Sequence, residues 1–314
     1  MTMRRLAVVL PALLLFAGPV AAAGFPLTLD NCGTKVTFDA APKRVVTIKS
    51  TATEMLLALG LGDRIVGVGF QDGPVPEAWA GATLPVLAQK LPNQEVVLET
   101  EPDLVYAGWE SNFAADGAGE RPALAALGVA SYVSPAACKA EPYKPAKLTF
   151  DQLFDQIAEM GQIFDAGDKA EALVAEQKAA LAGIVPNDKA LTALWYSSGT
   201  KAPYVGAGAG APAMMMEALG LKNIFADVAD SWVSASWEAV VAADPEVIVL
   251  VDSAWNSAAQ KKKLLAENPV TANLSAVKAQ RYLIVPFPAS EAGVRSVPAT
   301  VDMAAQLGAL PLPR

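Results

Sequence analysis

There is no histidine anywhere in this chain of 314 residues. That absence removes the commonest side chain that switches charge near neutral pH and the commonest transition-metal ligand. It also excludes a serine–histidine hydrolase, whatever Ser197 and Ser198 do. Cysteine is nearly absent too, with Cys32 and Cys138 the whole inventory. Aromatic residues make up only 7% of the chain. Positive charge is in deficit, with 24 Lys and Arg against 32 Asp and Glu. No basic stripe offsets that balance, so a nucleic-acid partner is not expected. Beyond the N-terminus no run of about 18 uninterrupted apolar residues occurs, and the mature chain is expected to be soluble.

The N-terminus does carry a short apolar run. Arg4 and Arg5 precede Leu6 to Phe16, and Ala21, Ala22 and Ala23 supply a small-residue cleavage site, so residues 1–23 read as an export signal. An uncleaved anchor is the alternative, but Pro11, Gly18 and Pro19 break the run. No cysteine stands at the cleavage point, which favours a free periplasmic protein over a lipoprotein. Loss of Arg4 and Arg5 shifts the formal charge from -8 to -10. In an exported chain an even cysteine count favours a Cys32–Cys138 disulfide, two unpaired thiols being the alternative. The bridge would close a loop of roughly 105 residues, worth roughly 4 to 5 kcal/mol at most in a chain-entropy model.

The chain says one thing twice. Glu54 to Leu61 ends in Leu-Gly-Leu, and Glu95 follows, seven residues before Pro102-Asp-Leu-Val. Glu217 to Leu221 also ends in Leu-Gly-Leu, and Glu238 stands seven residues before Pro245-Glu-Val-Ile-Val. The period is too long for a solenoid. It implies two similar α/β lobes facing each other across a cleft. Pro26 to Phe38 alternates like a hairpin turning at Asp30-Asn31-Cys32-Gly33. Strands are expected at 44–48, 64–69, 104–107 and 129–133, alternating with helices, which argues for a parallel sheet covered on both faces. A helical stretch follows. Thr149 to Gln152 fits a capping box, and Phe150, Leu153, Phe154, Ile157, Met160 and Phe164 recur at helical spacing. A second cap at Asp168 to Glu171 would open a helix reaching Ile184, about 25 Å long and able to bridge the lobes; two ordinary packing helices are the alternative. The second lobe has strands at 191–196, 247–251 and 281–286. The boundaries expected are 25–148, 149–187 and 188–314.

The candidate chemistry is that of binding. Gly206-Ala-Gly-Ala-Gly210 lacks the P-loop lysine and the dinucleotide spacing, so a turn fits better than a phosphate loop. No EF-hand spacing occurs and no metal is assigned, although carboxylate ligation stays open. Trp109, Tyr196 and Trp255 end or follow strands, and Trp232 is expected in a Ser/Asp-rich loop. The carboxyl ends of strands are where open α/β sheets take ligands, and indoles there can stack on a flat molecule. Lys49, Lys90 and Arg295 lie near the same edges and are candidates for an anionic ligand.

With these residues assembled, the chain resembles the class III periplasmic binding proteins of ABC importers, which serve cobalamin, haem and iron-siderophore uptake. The resemblance rests on Arg44-Val-Val-Thr-Ile48, Thr53-Glu-Met-Leu-Leu-Ala-Leu-Gly60 and Pro102-Asp-Leu-Val105, and covers the mature chain. It implies two α/β lobes joined by a rigid helix, no enzymatic activity, no cofactor, a small-molecule ligand, a monomer, and permease and ATPase subunits as partners. It also implies that Glu95 and Glu238 dock on permease arginines. A narrower similarity, to a subgroup proposed to bind a deazaflavin coenzyme precursor with a phospholactyl tail, rests on Val46-Thr-Ile-Lys-Ser50, Phe70-Gln-Asp-Gly-Pro74, Tyr106-Ala-Gly-Trp-Glu-Ser-Asn112, Leu194-Trp-Tyr-Ser-Ser-Gly199 and Pro286 to Arg295. Those strings add Ser50, Gln71, Glu110, Ser197 and Glu291 to the candidate ligand residues.

Overall fold

A single apolar alternation opens the folded part of the chain. The structure, a computed structural model, describes residues 24–312, so the segment read as an export signal lies outside the described residues. The expected hairpin forms, β1 (Leu27–Asn31) pairing antiparallel with β2 (Thr34–Phe38). Cys32 and Gly33 make its turn with φ of 52° and 79°, the left-handed pair that a tight hairpin needs. Cys32 is disulfide-bonded to Cys138, as the cysteine count implied.

Two sheets follow. The first has β3 (Val45–Ile48), β4 (Ile65–Gly69), β5 (Val86–Ala88), β6 (Leu104–Ala107) and β7 (Ala130–Val133), all parallel in the order β5-β4-β3-β6-β7. Every residue of β3 and β6 is buried, as expected for strands covered on both faces. The second sheet has β8 (Thr192–Ser198), β9 (Tyr204–Gly206), β10 (Lys222–Asn223), β11 (Trp232–Ser234), β12 (Val247–Asp252) and β13 (Tyr282–Pro286). Its order is β11-β9-β8-β12-β13, with β10 also on β8. Strands β8, β12 and β13 are parallel, but β9 and β11 form an antiparallel edge. Trp232, expected in a loop, therefore lies on a strand. Three residues are too few to show a period of two in sequence.

The sequence repeat has a structural cause at each of its parts. Both Leu-Gly-Leu segments end helices in the same way. Gly60 and Gly220 have positive φ, the Gly60 and Gly220 amides donate to Leu57 and Glu217, and the Leu61 and Leu221 amides donate to Leu56 and Met216. That is the paired 5→2 and 6→1 bonding of a Schellman stop. Before each proline stands a left-handed residue, Glu101 (φ 48°) or Asp244 (φ 40°). The acid after each proline ties down the neighbouring strand. Asp103 accepts from the Lys43 and Arg44 amides at 2.7 and 3.0 Å, and Glu246 accepts from the Thr192 amide at 3.0 Å.

Helices Phe150–Ile163 and Gly167–Ala182 join the two halves. The Thr149 capping box forms, Thr149 Oγ1 accepting from the Gln152 amide and Gln152 Oε1 from the Thr149 amide. The box expected at Asp168 does not. Asp165 (φ 51°) makes the break alone, the chain is helical again by Gly167, and Ala166 stands at the cap without a side-chain bond. Asp168 sits in the first turn, where its charge suits the helix dipole. Leu148 and Leu153 are buried in the core of the second sheet, whereas Phe154, Ile157, Met160 and Ile163 are buried in the core of the first. The last helix, Ser296–Gly308, divides likewise, Val297 into the first core and Met303 and Leu307 into the second.

Candidate functional site

Strand β3 is followed by Lys49, whose φ of 77° and ψ of 149° are rarely adopted by a residue with a side chain and cost energy that the surroundings must offset. The unusual backbone turns the lysine inward. Its ammonium contacts the Asp72 carboxylate and lies 3.6 Å from the centre of the Trp109 ring and 4.3 Å from that of Phe70. Asp72 is held in turn by Ser50, whose hydroxyl accepts from the Asp72 amide at 2.9 Å. Gly108 permits the close approach, because a Cβ there would stand 2.4 Å from Thr51 Oγ1 and 2.8 Å from Lys49 Cβ. Burial is the main influence on both members of the ion pair, pushing the Lys49 pKa down and the Asp72 pKa up, against their mutual attraction.

The second half reaches across to meet this edge. The Arg295 guanidinium pairs with the buried Glu54 carboxylate and donates to the Pro74 carbonyl at 3.0 Å. Trp109 Nε1 donates to Glu291 at 3.1 Å. Burial pushes the Glu291 carboxyl above its ordinary value, more than the Trp109 hydrogen bond and Lys49 lower it.

Between the two edges lies a cavity of about 570 Å³. Its aromatic wall comes from Trp109, Tyr204, Trp232 and Phe287, with Ser197 and Glu291 beside them. The Tyr204 and Trp232 rings are stacked 5.8 Å apart at 13°; they are diagonal neighbours on one face of β9 and β11, Tyr204 pairing with Ser234 and Trp232 with Gly206. Among the described lining residues there is no methionine and no free thiol, Cys138 being in the disulfide.

A family description, periplasmic binding protein, matches residues 45–289. The chain belongs to the periplasmic binding protein family. This binding protein is 30% identical over 265 residues to a cobalamin-binding protein of Halobacterium salinarum, an alignment covering 81% of this chain and 66% of that one, so it spans just under two thirds of that relative. It is 27% identical over 292 residues to an uncharacterized ABC transporter substrate-binding lipoprotein of Bacillus subtilis, covering 89% and 85% of the two chains. A periplasmic binding protein from Veillonella parvula superposes with a TM-score of 0.79 at 25% identity, over 90% of this chain and 97% of that one. An ABC-type Fe3+-hydroxamate transport system structure from Saccharomonospora viridis gives 0.75 at 28% identity, over 91% and 100%. These relatives are substrate-binding proteins of transport rather than enzymes, and the α/β fold of the binding protein is theirs.

Not every residue singled out in the sequence reaches the cavity. Trp109, Ser197, Trp232 and Glu291 line it. Lys49 and Ser50 are buried in the pairing with Asp72, and Arg295 is taken by Glu54, so these cations join parts of the protein to each other. Tyr196 is a core residue, its hydroxyl donating to the Gly199 carbonyl at 2.7 Å. Gln71 turns back to the Gly69 carbonyl, Glu110 accepts from the Lys139 amide, and Lys90 is exposed; none of them lines the cavity. Trp255 is 62% exposed and packs edge-on behind Phe287. Tyr204, Phe287, Lys139 and Lys144 line the cavity and were missed. For the two lysines a signal was present, three lysines falling between 139 and 147 directly after Cys138. Glu95 and Glu238 are both exposed, each in the first turn of a short helix capped by Asn93 or Ser236. Among the described residues no helix is long and apolar enough to cross a membrane.

Proposed function

We propose that this chain captures a planar, anionic, cofactor-like molecule in the cavity between its two sheets and delivers it to an ABC permease. The observation that supports a flat organic ligand is the stacked Tyr204–Trp232 pair facing Trp109 and Phe287. A tricyclic deazaflavin precursor suits that wall, and the subgroup similarity in sequence points the same way. The second reading is a corrinoid or a ferric siderophore, favoured by the names of the relatives. On either reading Glu95 and Glu238 are the permease-docking carboxylates, two like-placed charges that fix orientation by pairing with arginine. The place of action on this reading is the periplasm, with one copy of the chain carrying one ligand.

Tryptophan fluorescence titrated with 5-deazariboflavin derivatives, cobalamin and ferric hydroxamates decides between the ligands. Saturable quenching by the deazaflavin alone is expected. A response confined to the corrinoid or the iron chelate overturns the first reading in favour of the second. The variant Glu95→Ala/Glu238→Ala is expected to keep ligand binding and lose uptake in cells, and normal uptake would sink the docking assignment.

A further inference from the structure

Residues 139–147 form a strap along one side of the cavity. Three ties hold it in place. Cys138 is bonded to Cys32 at one end. In the middle, the Tyr143 hydroxyl donates to Asp30 at 3.0 Å. Just past the other end, the Leu148 amide donates to the Ala209 carbonyl at 2.7 Å. The first two ties are to the N-terminal hairpin and the last is to the loop that follows β9. Two ion pairs extend from the strap to the same second half, Lys144 to Asp230 at 3.5 Å and Lys147 to Glu217 at 2.8 Å. The strap is thus fastened to both halves of the protein and held against the opening between them.

Lys139 and Lys144 are the only basic side chains among the described residues that line the cavity. The cations read from the sequence are unavailable, Lys49 and Arg295 being consumed by buried carboxylates and Lys90 lying elsewhere. Lys139 donates its backbone amide to Glu110 and is itself exposed among the lining residues. The contact between Lys144 and Asp230 is long and solvated, the weak kind of pair that another anion can replace. Lys144 also borders further space. A second cavity, of about 490 Å³, shares Ala136, Lys144, Pro145 and Leu148 with the first. Lys144 therefore borders both cavities, at the side of the aromatic wall.

We propose that the strap is an acid-recognition subsite, in which Lys139 and Lys144 hold the anionic tail of a ligand whose flat ring lies against Tyr204 and Trp232. The proposal rests on the planar-ligand reading above. On binding, the tail displaces Asp230 from Lys144 and gains charge-assisted hydrogen bonds from both ammonium groups.

The test compares two probes with one ring system, neutral 5-deazariboflavin and its 5′-phosphate, by tryptophan quenching at low salt. The phosphate is expected to bind about tenfold more tightly, the scale of one or two charge-assisted contacts. In Lys139→Gln/Lys144→Gln that preference is expected to vanish, both probes binding alike. Asp230→Asn breaks the same surface pair but frees Lys144, so it should tighten phosphate binding. A merely structural role for the pair predicts weakening instead. A phosphate preference that survives the double glutamine variant, or a weaker phosphate complex in Asp230→Asn, overturns the strap subsite and leaves the planar-ligand reading intact. Absence of quenching by both probes overturns that reading, and the subsite with it.

Discussion

The two halves of the protein are built from one plan and use their ligand-facing edges differently. In the first, whose five-stranded sheet is parallel throughout, the charged residues near the cleft are spent on internal contacts. Lys49 is locked against Asp72, and Glu54 reaches across to Arg295. In the second, the antiparallel pair β9 and β11 presents Tyr204 and Trp232 side by side, 40% exposed in the case of Tyr204. One edge holds the halves together and the other is left open to a ligand. Residues that look equivalent in sequence, a lysine after one strand and a tryptophan near another, therefore have opposite accessibility.

Removing the lock should have the largest effect. Lys49→Met leaves Asp72 buried without its partner, and about 3 to 5 kcal/mol of stability should be lost in urea unfolding. Adding Asp72→Leu should restore most of it, because neither charge then remains. A cost within the error of the unfolding experiment would mean that Lys49 is free for ligand, and the contrast between the edges would fail. The open edge should respond in affinity. Trp232→Ala is expected to weaken ring binding about tenfold, whereas Trp255→Ala, behind Phe287, should change it less than about twofold. Equal losses at both would break the assignment of the aromatic wall. The smallest effect lies where the edges meet, at Glu291. Burial raises its carboxyl above the ordinary 4.5, so the native state holds that proton more firmly than the unfolded chain. The stability this group contributes is full below pH 4.5 and is lost as pH climbs toward its raised value. Glu291→Gln removes that dependence, so the stability of the natural protein relative to the variant should fall as pH rises. Parallel profiles would show the carboxyl to be unperturbed.

Most of the architecture was legible because it is written in local signals. The Leu-Gly-Leu stops, the Thr149 capping box and the buried strand runs each specify their own geometry within a few residues. Even the disulfide followed from counting. The site was less legible, since its contents depend on what meets across a long separation. No pattern near Arg295 announces a partner 241 residues away at Glu54. Nor does Lys49 reveal in sequence that its backbone will turn the ammonium beneath an indole. Trp109 was found from its place after a strand and Glu291 through the string that contains it, but their hydrogen bond is visible only in three dimensions. Tyr204, and the strand that carries Trp232, were obscured by the shortness of β9 and β11, each of three residues.

Helix Phe150–Ile163 gives Leu153 to one core and Phe154 to the other, and the final helix is shared in the same way. A large change in the angle between the halves would have to tear consecutive residues out of two packed interiors. An arriving ligand therefore meets a cleft whose shape is already set, with little ordering entropy left to lose on capture. The kinetic consequence is a one-step encounter. Observed association rates should rise linearly with ligand concentration, without the plateau that a slow closing step imposes, and selectivity should reside in how long each ligand stays rather than in how quickly it enters.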